Sequence, residues 1–430
     1  MTQNSSDRPP DTGPAIAAPG PGTRSARPFF YGWLIVGACF LVNFSESGIG
    51  GPVVSVFLVP MSQEYGWSRT LISAAVTVGS LSAGLISPAM GALVDRIGAR
   101  WVLVVSLTGM TLATVSLGFM QHVVQLFASL GVGRALLMGG AAIGASVAVS
   151  NWFVRQRGRA LGYAYLGTRV GATVLPLAAL FLIENLGWRT AWVALGIGLF
   201  VLAAIPSALV IRRRPEDMGL LPDGASEPSS VEHRPSESSF SLHEALRTRT
   251  LWLLAVASLF HSLAGPALQL HQVPHFLDRG LTSVEAVTSL SLFGLSSAFG
   301  TVLWGYVAER VPVRVLLTIL LVINAVTMVG LVQVSSFGAA VLFAFVYGLS
   351  FGGTRTIPMV LWADYYGRSS LGAIRGFTAP FTLVAHGLGP LLGGLVFDAT
   401  GTYAAAFFLF AGSYGLSALL TSQARSPVRR

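Results

Sequence analysis

Four ionisable side chains stand where an apolar chain can least accommodate them: Glu46, Arg134, Arg169 and Arg355, each within a long hydrophobic run. A charge at membrane depth costs about 3 kcal/mol or more unless it is paired or faces water, so each is a functional candidate. A guanidinium offers a planar fork that matches a carboxylate with two parallel hydrogen bonds, and it stays charged at any working pH. Arg134, Arg169 and Arg355 therefore predict binding of a small organic anion. Glu46 either balances that charge or pairs with Arg134 or Arg169 as a neutral structural lock. Even then, two arginines against one glutamate leave one positive charge in the first half.

Coupling to a proton requires a group that changes charge near neutral pH, or a carboxylate shifted by burial. Glu46, His261 and His386 are the candidates, although each histidine also reads as a satisfied packing residue. His271 and His275 flank Pro274 at a helix end, where access gating or plain solvation is expected. Asn43 is the polar residue assigned to substrate, among cavity candidates that also include Tyr163, Tyr165, Trp304, Asn324, Tyr347 and Trp362.

The elements that must carry these residues follow from composition. Hydrophobic residues make up 53% of the 430-residue chain and charged residues 10%, against roughly 25% charged in a soluble domain. With about 20 apolar residues needed per crossing, the chain divides into twelve spans. They run approximately 30–58, 69–91, 100–120, 123–151, 159–184 and 189–211, then 249–277, 284–306, 313–333, 337–363, 371–397 and 402–422. Arg134 and Arg169 lie some 10 residues into theirs, about 15 Å deep. The Gly48, Gly50, Gly51, Pro52 cluster is the expected break in the first span.

Six glycine and proline landmarks recur at a separation of 214 positions: Pro60 and Pro274, Gly66 and Gly280, Gly91 and Gly305, Gly162 and Gly376, Pro176 and Pro390, Gly187 and Gly401. The second half is therefore a copy of the first, and two such halves in a membrane point to a transporter. The fold class is an all-α membrane protein with twelve transmembrane helices in two pseudo-symmetric six-helix bundles. Its parts are a disordered tail (1–28), the first bundle (29–211), a linker (212–248), the second bundle (249–422) and a tail (423–430).

All 27 basic residues are arginine. About 21 fall at the chain ends and in loops sharing their side, with only Arg69, Arg189 and Arg279 in loops opposite, which predicts an inner-membrane protein with both termini cytoplasmic. The basic balance then answers to anionic lipid headgroups, with no nucleic acid partner. The tail at 1–28 lacks the apolar run of a cleaved signal. The lone Cys39 sits in the first span as a packing residue and allows no internal disulfide. No phosphate-binding loop, metal cluster or nucleophile and base spacing is present, so neither enzymatic chemistry nor a cofactor is expected.

GALVDRIGARWVLV follows span 2 and GYVAERVPVRVLL follows span 8, so that the repeat carries Asp95 onto Glu309, Arg96 onto Arg310 and Arg100 onto Arg314. Both copies resemble the G-x-x-x-D-R-x-G-R loop signature of the major facilitator superfamily. WFVRQRGRALGYAYLGTRVG at the entry to span 5, Gly32 and Trp33, and EYGWSRTLIS before span 2 are similar to the monocarboxylate transporter and oxalate:formate antiporter group. The resemblance implies a secondary active transporter, a monomer, in which two bundles rock around a midplane cavity. It would carry a small organic anion, a monocarboxylate, with a proton or against a counter-anion.

Asp95, Arg96, Arg100, Glu309, Arg310 and Arg314 would then form a gate on the cytoplasmic side, since acid groups facing arginines at helix ends make contacts that break as the halves move. A static surface ion pair is the plainer reading. Arg134 also resembles the helix 4 arginine of proton-linked members. Gly162, Gly167 and Gly171 read as a helix interface rather than a ligand site. The helix 8 arginine common in these relatives is missing from SSAFGTVLWGYVAER, which predicts a substrate larger than, less charged than, or different from lactate and oxalate. Two alternatives are efflux of a drug or secondary metabolite, which expects a large apolar cavity, and a transport-inactive sensor of the same fold.

Overall fold

The computed structural model describes residues 30–224, 240–366 and 371–427. The expected tail at 1–28 and part of the expected linker lie outside them. All regular structure among the described residues is helical. Eleven helices are long and apolar enough to cross a membrane. One of these, Arg157–Val210, has 54 residues and would be about 80 Å long if straight, far beyond a hydrocarbon core of about 30 Å. It bends at Gly187, whose φ of 76° and ψ of 156° are not helical, and so supplies two passes.

The twelve passes are α1 (Gly32–Tyr65), α2 (Arg69–Ile97), α3 (Ala99–Gly118), α4 (Val123–Trp152), α5 (157–186) and α6 (188–210). The second six are α7 (Arg249–Asp278), α8 (Ser283–Ala308), α9 (Val313–Leu331), α10 (Phe337–Tyr366), α11 (Leu371–Thr400) and α12 (Ala404–Gln423). An even number of passes puts the start of α1 and the end of α12 on one face, the near face. The loops between α1 and α2 and between α7 and α8 lie on the far face.

The duplication has a conformational cause at four of its landmarks. Gly66 and Gly280 turn the chain after α1 and α7 with φ of 66° and 87°, and Gly187 and Gly401 turn it after α5 and α11 with φ of 76° and 71°. A side chain at any of these would be strained, so glycine recurs at the repeat distance because a positive φ recurs.

Three passes are irregular. In α1 a 3-10 turn at Ser47–Ile49 is followed by Gly50 in an extended conformation, at the expected glycine and proline cluster. α4 widens into a π-helix over Ala135–Ala141 and α6 over Phe200–Ala204. Such widened turns mark places where a helix presents polar groups off its regular register.

Buried apolar side chains gather into two clusters, one built almost wholly from α1 to α6 and one from α7 to α12. Within the first, α5 packs on α1, where a Cβ at Gly167 or Gly171 would overlap the carbonyl oxygens of Phe40 and Phe44. Close backbone approach is how helices gain packing energy in lipid. Gly162 has open space around it, so the expected three-glycine interface is made by two. Between the halves, α2 packs on α11, α5 on α8 and the second part of α1 on α7.

Part of the expected linker falls within the described residues. Asp223 accepts hydrogen bonds from the backbone N–H groups of Val154, Arg155 and Gln156 at 3.0, 2.7 and 3.1 Å. It thereby caps the start of α5. The short helix Leu242–Leu246 then leads into α7, opened by Ser241 and Glu244 in a reciprocal cap.

Candidate functional site

Where the regular backbone of α1 fails, a carbonyl is freed, and Arg134 uses it. One guanidinium nitrogen donates to the Ile49 carbonyl at 2.9 Å and the other to Ser80 Oγ of α2 at 3.0 Å. Gly79 supplies the room, since a Cβ there would lie 2.9 Å from Arg134 Cδ. The π-helical stretch of α4 begins at the next residue. Arg134 is thus held by protein dipoles on one side while lining a central cavity on the other.

That cavity, of about 140 Å³, lies between the halves, with residues from both bundles in its wall. Glu46 enters it from the last residue before the 3-10 turn, and its carboxylate accepts a hydrogen bond from Thr168 Oγ1 at 3.1 Å. Arg169, next to Thr168 on α5, lines the same space, as do Arg355 of α10 and His386 of α11. The guanidinium groups of Arg169 and Arg355 make no hydrogen bond or ion pair among the described residues.

Glu46 attracts all three arginines, and Arg355 repels Arg169. No arginine approaches it closely enough for an ion pair, because the two ion pairs among the described residues are Arg69 with Asp278 and Arg189 with Glu64. The neutral lock expected as the competing reading is therefore not what the geometry holds. Three guanidinium groups against one carboxylate give the cavity a formal charge of +2.

A second cavity, of about 520 Å³, lies on the near-face side, walled by α7, α10 and α11. His261 and His386 both line it, and Arg355 borders both cavities. His261 Nδ1 is buried without a hydrogen-bond partner among the described residues.

Asn43 is not brought to either cavity. It is 2% exposed, and its amide donates to the carbonyls of Cys39 and Ala164 at 2.9 and 3.1 Å, tying α1 to α5. A buried amide in lipid must find such acceptors, which a sequence cannot assign in advance.

The two halves meet at the far face. There the Arg69 guanidinium holds the Asp278 carboxylate at 2.6 and 2.7 Å and donates to the Tyr403 hydroxyl at 2.9 Å. The Asp398 carboxylate of α11 accepts from the backbone N–H groups of Arg69 and Thr70 at 3.2 and 2.8 Å, at the N-terminus of α2. Opposite charge is favoured there by the helix dipole. Further in, Thr77 Oγ1 donates to the Gly387 carbonyl at 2.6 Å. The larger cavity occupies the opposite, near-face half of the bundle. The far face is thus where these contacts hold the two halves together.

With a duplicated twelve-pass architecture and a midplane cavity between its halves, the comparison with known families is decisive. The sequence matches the Major Facilitator Superfamily over residues 35–379 and again over 262–429. The chain belongs to that superfamily.

Its relatives are transporters rather than enzymes. Monocarboxylate transporter 12 of Rattus norvegicus is 24% identical over 420 residues, 92% of this chain and 85% of its own. Monocarboxylate transporter 4 of the same species is 25% identical over 403 residues, with 92% and 83% covered. Monocarboxylate transporter 11 of Homo sapiens is 27% identical over 409 residues, with 90% and 81% covered. In fold, the chain is similar to a bacterial homologue of the human lysosomal transporter Spinster in its inward-facing, unoccupied conformation. The TM-score is 0.69 at 17% identity, and the match covers 93% of this chain and 95% of the other.

In this member of the superfamily, the described side chains expected to gate the near face hold no ion pair. Arg96, Glu309 and Arg310 are exposed, and Arg314 and Arg100 are half-buried, with Arg100 lying 5.5 Å from the Trp101 ring. None of these five forms an ion pair among the described residues; the side chain of Asp95 lies outside them.

The far-face contacts were missed at the sequence level, although a signal existed. The three arginines that break the charge bias are each engaged: Arg69 as above, Arg189 with Glu64 and with the Tyr65 hydroxyl at 2.7 Å, and Arg279 with the Val334 carbonyl at 3.2 Å. His271, expected near a gate, supports it, bonding Tyr403 at 2.9 Å and the Pro390 carbonyl at 2.8 Å. His275 reaches the Leu331 carbonyl at 3.2 Å.

Proposed function

We propose that this superfamily member is a secondary active transporter of a small organic anion, a monocarboxylate, working by alternating access. The observation that carries the proposal is the set of three guanidinium groups lining the space between the halves with one carboxylate among them. Arg169 and Arg355, free of protein partners among the described residues, are the groups assigned to the substrate carboxylate, with Arg134 setting the field behind them. The similarity to monocarboxylate transporters supports the same cargo class.

Glu46 is assigned to coupling, since its protonation would raise the positive charge facing the anion. His261 and His386 complete the proton-coupling set, and exchange against a counter-anion uses the same site without them. The bundles at 29–211 and 249–422 are the rocking units, joined by the linker at 212–248, and one chain suffices. The arginine bias assigns the near face to the cytoplasm of an inner membrane. On that assignment the cavity opens inward, and the residues from Asp95 to Arg100 and from Glu309 to Arg314 would come together when it closes.

Uptake of labelled carboxylates into proteoliposomes under an imposed pH gradient tests this reading. Arg169→Ala and Arg355→Gln should abolish uptake while leaving insertion intact. Uptake by either variant at the wild-type rate removes that residue from the site, and export of hydrophobic cations instead would favour the efflux alternative.

A further inference from the structure

The larger cavity carries information about what the anion's uncharged part must be. On α10, Phe351, Arg355, Met359 and Trp362 lie along one face, four, four and three residues apart, so along that face Arg355 stands between two aromatic residues. Helical side chains lean toward the N-terminus, which tilts Trp362 back toward Arg355 over a rise of about 10 Å. Met359 is 51% exposed although it sits well inside a spanning helix, and it borders the cavity.

Three of the cavity's hydroxyl groups have already spent their donors. Ser258 donates to the Leu254 carbonyl at 2.7 Å, Thr354 to that of Phe351 at 2.9 Å and Thr382 to that of Ala379 at 2.8 Å. Each has turned its donor into its own helix. These positions leave the aromatic and thioether side chains to meet a ligand's apolar part, beside Arg355 and the imidazoles of His261 and His386. A site of about 520 Å³ falls in the range that encloses drug-sized ligands. With about 30 Å³ per water molecule, a two-carbon acid would leave most of it wet.

We propose that the transported anion is an aryl-substituted monocarboxylate, with its carboxylate on Arg355 and its ring in the larger cavity against Trp362, Phe351 and Met359. This rests on the carboxylate reading above and deepens it. A ring gains dispersion and apolar burial there, and sulfur and aromatic contacts with Met359 and Trp362 add to it. A polyhydroxylated acid of similar size finds the donors of Ser258, Thr354 and Thr382 already spent and should bind more weakly than an aryl acid. The missing helix 8 arginine fits the same picture, because a ligand held partly by its ring needs fewer charges.

Thermal stabilisation of the full-length protein in detergent tests the proposal with four probes: acetate, phenylacetate, gluconate and benzyl alcohol. Phenylacetate should stabilise at concentrations at least about tenfold below those of acetate and gluconate, with benzyl alcohol weaker still. Ala379→Trp, which fills the cavity from α11, and Met359→Asp, which makes its α10 wall polar, should each collapse the ratio of phenylacetate to acetate. Both variants are first checked for a wild-type elution profile. Acetate or gluconate equal to phenylacetate overturns the aryl assignment and leaves the carboxylate reading standing, as does a ratio that survives both variants. Benzyl alcohol equal to phenylacetate, or no response to any carboxylate, overturns the carboxylate reading itself.

Discussion

Arg69 at the start of α2 and Asp278 at the end of α7 are joined by two parallel hydrogen bonds of 2.6 and 2.7 Å. Theirs is the ion pair, among the described residues, that ties one half of the molecule to the other; the second, Arg189 with Glu64, lies within the first half. Their side chains are 12% and 35% exposed, so the pair is partly shielded from solvent. Phe397 lies beneath the guanidinium at 3.7 Å, adding a cation-π contact.

Asp278→Asn should weaken this closure by about 1 to 2 kcal/mol, a factor of roughly 5 to 30 in the closed population. A cysteine placed at Val76, buried in the central cavity behind the closure, reports it. In an otherwise cysteine-free background, Val76→Cys should react faster from the far face with an impermeant maleimide when Asp278→Asn is present. Equal labelling in both would mean that Thr77 and Asp398 hold the face shut alone.

Glu46→Gln should raise anion affinity by roughly 3- to 10-fold, because it removes the one carboxylate facing three guanidinium groups. Equilibrium binding of a labelled carboxylate to the two detergent-purified proteins checks this; equal or weaker affinity in the variant would exclude Glu46 from the field that the anion meets.

Gly171→Ala should destabilise the first bundle by about 1 to 3 kcal/mol, because its methyl group would collide with the Phe44 carbonyl. Gly162→Ala, which faces open space, should stay within about 0.5 kcal/mol of wild type. Melting curves of the two detergent-purified variants compare them directly.

Asp223→Ala should cost about 1 kcal/mol at the start of α5 by removing the acceptor for three backbone N–H groups. The readout is faster protease cleavage within 211–249, since Asp223 anchors the linker to the loop it caps. Asn at this position should retain much of the protection, because it tolerates the left-handed backbone that Asp223 adopts at φ 59°.

The twelve crossings and the break in α1 were legible because their causes are local: apolar length, and glycine and proline where a helix must stop or turn. Gly187 was legible for the same reason, since it falls in the short polar break between spans 159–184 and 189–211 and recurs as Gly401. The partners of Arg134 were hidden because Ile49 and Ser80 are 85 and 54 residues away, and no local pattern relates them. Asn43 was misplaced for the same reason: a polar residue in an apolar run announces a need for partners without naming them. The face that closes was equally invisible, because Arg69 and Asp278 are 209 positions apart and on opposite sides of the repeat.

A π-helical turn takes in more residues than the roughly 3.6 of an α-helix, and α4 carries such a stretch directly after Arg134. The side chains on either side of Ala135–Ala141 are therefore rotated out of the phase that unbroken winding would give them. Shortening the stretch by one residue would turn the segment that bears Arg134 relative to the segment beyond it. The inward aim of this charge is thus a matter of residue count along one helix.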